Sequence, residues 1–217
     1  MSTADLFAGC LAAPPETPLA PGAVLLHGFA LADAPALLAA IGAVTTQAPF
    51  RQMTTPGGFR MSVAMSNCGA LGWITDRRGY RYAALDPDSG QPWPAIPPVL
   101  LRLALAAATR AGFAHFIPDA CLINRYAPGS KMALHQDRDE HDFTQPIVSV
   151  SLGLPATFLF GGLERSDKAA RVPLVHGDVF VWGGPARLRF HGIAPLKDGS
   201  HPATGACRIN LTLRKAA

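Results

Sequence analysis

From Ala120 to Arg214, apolar and polar positions alternate in short runs broken by Gly, Pro and Asp. A period of two is the signature of a half-buried strand. It predicts strands over 121–126, 132–137, 147–152, 156–160, 178–182, 188–193 and 207–213. Upstream the pattern differs. Residues 23–29 form a short apolar strand candidate. Asp33 then stands as an N-cap before a helical stripe of Leu37, Leu38, Ile41 and Val44, which predicts a helix over 33–44. Pro97-Pro98 opens a second helix over 98–111, with Val99, Leu100, Leu103 and Ala107 on one side and Gly112 at its end. Two helices followed by many short strands predict a mainly β (α+β) fold. Its core would be a double-stranded β-helix of jelly-roll or cupin-like type, with flanking helices.

Two stretches stand apart from this pattern. Residues 1–22 are rich in Ala and Pro and predict a flexible N-terminal arm, leaving 23–217 as a single domain. Between Phe50 and Pro94 the composition shifts. Arg51, Arg60, Arg77, Arg78 and Arg81 stand against Asp76, Asp86 and Asp88, among Phe59, Trp73, Tyr80, Tyr82 and Trp93. Short strands on glycine turns fit this segment. Arginines interleaved with aromatics are the footprint of a single-strand or flipped-base binder. A solvated face over ordinary core aromatics fits the composition equally well.

Composition narrows the class. With 49% hydrophobic and only 16% charged residues, the chain can bury a full core, which argues against disorder and coiled coil. No run approaches the ~18 apolar residues of a membrane span, and no secretory signal is evident. Cys10, Cys68, Cys121 and Cys207 lie far apart with no C-x-x-C. That disfavours a zinc finger or a disulfide framework and suits a reducing, cytoplasmic setting. The net charge of +4 permits a polyanionic partner without requiring one. Nothing indicates an obligate protein partner, so a monomer is expected.

The candidate chemistry centres on His135 and Asp137. Two residues apart on an extended strand, they would share one face. They supply two-thirds of the 2-His-1-carboxylate triad that holds non-heme Fe(II) and leaves positions open. Short H-x-D strings are common, so a second histidine is needed. His27, His115, His141, His176, His191 and His201 are candidates, and periodicity does not select among them. On the last strand Cys207, Ile209, Leu211 and Leu213 alternate with Arg208, Asn210, Thr212 and Arg214. The polar face could meet water. If it lines the barrel instead, Arg208 and Arg214, about 20 Å apart along an ideal strand, could converge on a five-carbon dicarboxylate. Asn124 and Tyr126 share one face of another strand and offer further donors.

These stretches together resemble a known family. Asn124-Arg125-Tyr126, His135-Gln136-Asp137 with Asp139, His191-Gly192 and Arg208-x-Asn210-x3-Arg214 are similar to the AlkB family of Fe(II)- and 2-oxoglutarate-dependent nucleic-acid dealkylases, its bacterial members above all. Phe50-Arg51-Gln52-Met53 and the run Asp119–Gly129 belong to the resemblance, which covers most of the chain from about Phe50 onward. It implies His135, Asp137 and His191 as iron ligands, and Asn124, Tyr126, Arg208, Asn210 and Arg214 as the 2-oxoglutarate site, with O2 as oxidant. It implies a nucleotide-recognition lid over about 50–94 on a jelly-roll core over about 95–217. Trp73 would stack on a flipped base, Asp139 would contact its exocyclic amine, and Tyr80 and Arg165 would stand at the substrate. Arg138, His141 and Arg189 depart from the family pattern, which has lysine, proline and an aromatic there. They bear on substrate preference and remove no ligand.

The implied activity is DNA repair. N-alkyl lesions such as 1-methyladenine and 3-methylcytosine would be removed oxidatively from single- or double-stranded DNA, with RNA as a further substrate class. The alkyl group would leave as an aldehyde while 2-oxoglutarate becomes succinate and CO2. Two other readings stay open: a dioxygenase hydroxylating a protein or small molecule, and a non-catalytic nucleic-acid binder on a cupin-like scaffold.

Overall fold

A computed structural model describes residues 16–217. Strand β1 (Glu16–Ala20) pairs with β2 (Ala23–Leu26), and α1 (Ala34–Gln47) follows. Then come β3 (Ala64–Gly69), β4 (Gly72–Asp76), β5 (Gly79–Ala83) and α2 (Pro98–Arg110). The remainder is strand-rich: β6 (Ala120–Tyr126), β7 (Met132–His135), β8 (Ile147–Gly153), β9 (Ala156–Phe160), β10 (Ala170–Leu174), β11 (Val179–Trp182), β12 (His191–Ile193) and β13 (Arg208–Arg214).

The strands form a seven-stranded sheet in the order β1-β2-β11-β8-β13-β6-β3, facing a four-stranded sheet, β10-β9-β12-β7. Every strand pairing is antiparallel. This is the expected double-stranded β-helix. The larger sheet is covered on both faces, so its central strands are buried at every residue. On the outer face, Leu37, Ile41 and Val44 of α1 and Leu100, Leu103 and Ala107 of α2 pack on Ile123, Val150 and Leu211. Each of the larger side chains contributes about 1.5–3 kcal/mol by leaving water. On the inner face, Leu122 and Tyr126 meet Phe158, Phe160, Phe180 and Trp182 between the sheets.

Both helices form where expected. α1 runs on to Gln47, and the hydroxyls of Thr45 and Thr46 donate back to the Gly42 carbonyl. Asp33 stands at the N-cap but makes no side-chain capping bond.

Four expectations need correction. The arm over 1–22 is not loose throughout: Glu16–Ala20 is an edge strand of the main sheet, while 1–15 lie outside the described residues. The lid over 50–94 is not wholly separate from the core. Its β3 is hydrogen-bonded to β6 along its full length, and only the β4–β5 hairpin stands as its own sheet. Finally, the strand expected to carry both His135 and Asp137 ends at His135. The strand at 188–193 likewise shortens to His191–Ile193, because Gly184–Ala186 is a 3-10 turn and the chain is still irregular at Arg189.

Candidate active site

The inner face of β13 carries the site. Its polar residues point between the sheets: Arg208, Asn210, Thr212 and Arg214 are all buried. Antiparallel register sets Arg208 opposite Tyr126 and Asn210 opposite Asn124 on β6, and Asn210 opposite Ser151 on β8. The same pocket is walled by His135, His191, Phe158 and Trp182. Asn124, Tyr126, Arg208, Asn210 and Arg214, which sequence spacing placed on two separate strands, therefore share one interior.

His135, Asp137 and His191 converge, with one ligand atom from each within 4.8 Å of the others. Register does much of this, since His191 of β12 pairs directly with His135 of β7. Asp137 reaches the group from the loop after β7. Its Oδ1 lies 3.5 Å from His135 Nε2, and its Oδ2 lies 3.6 Å from His191 Nε2. Each imidazole Nδ1 faces a backbone carbonyl, that of Ala133 at 2.9 Å and that of Arg189 at 3.0 Å. A carbonyl can only accept, so Nδ1 carries the proton and Nε2 presents a lone pair to the centre. Two neutral imidazoles and one carboxylate form the donor set that suits Fe(II). The residues therefore fit the metal.

Electrostatics keep the carboxylate charged. Burial alone would raise the Asp137 carboxyl, but Arg214 and His191 pull it well below the usual range. Arg214 donates through Nε at 2.9 Å and through a terminal nitrogen at 2.6 Å to Asp137 Oδ2. Burial opposes the Arg214 charge, yet Asp137, Tyr82 and Glu140 hold its pKa above the ordinary arginine value. The histidines diverge. Burial and the His135 ring lower His191, whereas on His135 burial is outweighed by Asp137 and the pKa rises. His135 is the more open of the two, with a side chain 38% exposed against 6% for His191.

The other end of the pocket holds a second cluster of buried polar groups. Arg208 is 1% exposed, and it donates to Ser151 Oγ at 3.0 Å. Its Nε and a second terminal nitrogen are buried with no partner, and so is Asn124 Oδ1. A buried guanidinium with unmet donors is costly on its own and is suited to an incoming carboxylate. Arg208 also lies over the Tyr126 ring at 5.1 Å. Asn210 donates to Ser149 Oγ and the Val150 carbonyl, which locks its orientation. The two arginines thus differ: Arg208 has donors to spare, while Arg214 is committed to Asp137 and Glu140.

The mouth is formed from the β4–β5 hairpin. Trp73 Nε1 donates to Asp139 Oδ2 at 2.8 Å, and the Trp73 ring stacks on Tyr80 at 5.7 Å between centroids. Asn67 fixes Trp73 from behind by donating to its carbonyl and accepting from its amide. Arg165 is exposed and lies over Phe190 at 5.2 Å, outside the pocket wall.

Sequence reasoning missed one layer. Tyr82 donates to Glu140 Oε1 at 2.7 Å, Glu140 pairs with Arg187 and Arg214, and Arg187 donates to the Asp137 carbonyl at 2.7 Å. This buried chain ties the hairpin to the metal carboxylate. Gln136, between the two ligands, donates to the Leu188 carbonyl and ties their loop to the approach of β12.

Comparison with known proteins agrees with this geometry. Residues 22–214 match the model of the 2OG-Fe(II) oxygenase superfamily. The chain is 62% identical over 213 residues to the alpha-ketoglutarate-dependent dioxygenase AlkB of Salmonella typhimurium, covering 98% of each chain. It is 32% identical over 171 residues to the DNA N(6)-methyladenine demethylase ALKBH1C of Arabidopsis thaliana, covering 67% of this chain and 38% of that one. The solved structure of OsALKBH1 superposes with a TM-score of 0.82 at 31% identity, over 93% of this chain and all of that one. The chain therefore belongs to the 2OG-Fe(II) oxygenase superfamily and, within it, to the AlkB family of dioxygenases that use Fe(II), 2-oxoglutarate and O2.

Proposed function

We propose that this dioxygenase removes N-alkyl groups from bases in DNA, with RNA as a further substrate class, and works as a cytoplasmic monomer. The observation that carries the reading is the pairing of Trp73 with Asp139 at the mouth, two residues beyond the ligand Asp137. An indole face and a carboxylate suit a flat, cationic base such as 1-methyladenine or 3-methylcytosine, through cation–π and charge attraction. Damaged bases pair poorly, so extruding one from a duplex costs less. The demethylase named among the relatives supports the substrate class, and the free Cys68, Cys121 and Cys207 suit a reducing compartment.

Bound Fe(II), 2-oxoglutarate and O2 supply the oxidation of the N-alkyl carbon, which leaves as an aldehyde while 2-oxoglutarate becomes succinate and CO2. His135, Asp137 and His191 hold the metal. Arg208 would take a carboxylate of 2-oxoglutarate on its unmet donors, with Asn124, Tyr126 and Asn210 as the neighbouring polar groups. Arg214 keeps Asp137 charged and fixed. Trp73 and Tyr80 form the base platform, Asp139 meets the exocyclic amine, and Arg165 stands at the rim towards the strand backbone. Phe158 and Trp182 wall the pocket beside His191.

The test is mass spectrometry of a single-stranded oligonucleotide carrying one 1-methyladenine, incubated with Fe(II), 2-oxoglutarate and ascorbate. The expected result is loss of one methylene mass only when 2-oxoglutarate is present, and a large fall in rate with Trp73→Ala. Succinate release with an unchanged oligonucleotide would assign the site to another substrate class.

A further inference from the structure

A second cavity, of about 580 Å3, opens on the outer face of the large sheet. Arg125 lies in its wall, between Asn124 and Tyr126 on β6. Those two face the active site, so alternation turns Arg125 to the opposite face. The sheet itself separates the two cavities. Arg60, Arg51, Phe50, Gln52 and Ser62 complete most of the lining, and no acidic side chain among the described residues contributes to it.

The arginines differ in what they have left to give. Arg51 meets Asp86 and Asp88 through one terminal nitrogen, and its other terminal nitrogen is buried without a partner. Arg125 is exposed and its guanidinium lies over the Phe50 ring at 4.5 Å. Arg60 is exposed too, and neither has a carboxylate partner among the described residues. Beside Arg60, at the end of a tight turn closed by Gly58 and Thr55, stands Phe59, 77% exposed. So large an aromatic surface is not there for the core. Two free cations, an uncovered aromatic ring and a roomy cavity without acids are what a single nucleic-acid strand meets. Phosphates sit on the arginines and a base stacks on the ring.

We propose that this outer cavity and the Phe59–Arg60 turn form an exosite for the nucleic-acid strand flanking the lesion. It takes phosphodiester groups on Arg60 and Arg125 and a base on Phe59. The inference rests on the nucleic-acid reading of the active site. It assigns these residues to affinity for longer strands, with no part in the chemistry.

The experiment compares the parent enzyme with R60A/R125A and with F59A. Fluorescence anisotropy would follow a methylated oligonucleotide just long enough for the active site and one extended by about ten nucleotides, each across a salt series. For the parent, the longer strand should bind more tightly. In R60A/R125A that gain should disappear. The slope of log K against log salt should fall by about 1.4, two single-strand phosphate contacts at about 0.7 each. F59A should weaken the long strand about tenfold with the slope unchanged. Turnover of the short substrate should stay at the parental rate in both variants. Equal loss on short and long strands, or an unchanged salt slope, would overturn the exosite while leaving the repair reading standing. Failure of the parent to bind or turn over either strand would overturn both. Titration with inorganic phosphate alone separates the last source: if phosphate binds at Arg125 while the variants keep full affinity for the long strand, the site is for a free anion and the proposal fails.

Discussion

Glu140 is the residue whose loss should be felt most widely. Its side chain is 2% exposed and its two oxygens serve three partners. Oε1 accepts from Tyr82 and lies 3.3 Å from Arg214 Nε, and Oε2 lies 3.2 Å from an Arg187 terminal nitrogen. Glu140→Gln keeps the shape but removes the charge. One side of the new amide can still accept from Tyr82. The other then points N–H at the N–H of Arg187, leaving that buried guanidinium only the Gln145 and Asp137 backbone carbonyls to donate to, and leaving Arg214 the Asp137 carboxylate alone. Breaking a buried pair this way costs about 3–5 kcal/mol. For a chain of 217 residues, each kcal/mol moves Tm by about 2–4 °C, so the expected loss is about 6–20 °C. Tyr82→Phe removes only the hydroxyl and should cost about 1–1.5 kcal/mol. Calorimetry on both single variants and the double gives the coupling between hairpin and network. A Tm within about 2 °C of the parent for Glu140→Gln would show that the network carries no load.

Three further outcomes follow from the geometry. In Gly192→Ala the new methyl would lie 2.6 Å from the Met132 carbonyl oxygen and 3.1 Å from Ala133 backbone, so β12 must back away from β7 and carry His191 with it. Calorimetry with Mn(II) should show metal affinity reduced about 10- to 100-fold, and unchanged affinity would refute the tight register. The Asp76 carboxyl, bonded by Arg81 and by the Arg78 amide, is lowered to about 2. Because the folded value lies below the unfolded one, its contribution to the hairpin is complete above about pH 4 and fades as pH falls towards about 2. A carboxyl NMR titration with its midpoint near the ordinary value would contradict this. Burial and His201 lower His176, whose Nδ1 accepts from the Gly153 amide at 3.0 Å. The neutral ring is the stabilised form. Its contribution is present above about pH 6.5 and is lost as pH falls below that value. Hydrogen exchange should show the Gly153 amide losing protection in mildly acidic buffer, and constant protection would argue against the bond.

Much of this arrangement was legible beforehand, for a physical reason. Strands buried on one polar and one apolar face keep strict alternation, and β6 and β13 show it cleanly. Asn124, Tyr126, Arg208, Asn210 and Arg214 could therefore be assigned to common faces before any register was known. What stayed hidden was non-local or local in an unhelpful way. Strands β1 and β10 escaped notice because Pro18 and Pro173 interrupt them. Both are edge strands, where a missing N–H is tolerated. Period two explained His135 but not Asp137, which works from a loop. Glu140 and Arg187 meet across 47 positions, and nothing in either neighbourhood marks a buried charge. The flanking 3-10 turn that seats Arg187 has no periodic signal at all. By periodicity His191 is one histidine among several; the family resemblance singles it out, and pairing with His135 seats it at the site.

The separateness of the β4–β5 hairpin has a consequence for how such an enzyme can change. The metal ligands and the polar residues around Arg208 belong to the two large sheets and the loops between their strands. Trp73, Tyr80 and Tyr82 ride on a two-stranded ribbon joined to those sheets by side chains, through Glu140, Asp139 and Asn67. With Trp73 and Tyr80 in the base-binding role proposed above, substitutions along the ribbon would alter which base is accepted without moving a ligand of the metal, provided those three attachment points survive. Reader and reactor are thus nearly independent modules of inheritance. Mutational drift can explore lesion range in one while the oxidation chemistry of the other is conserved intact.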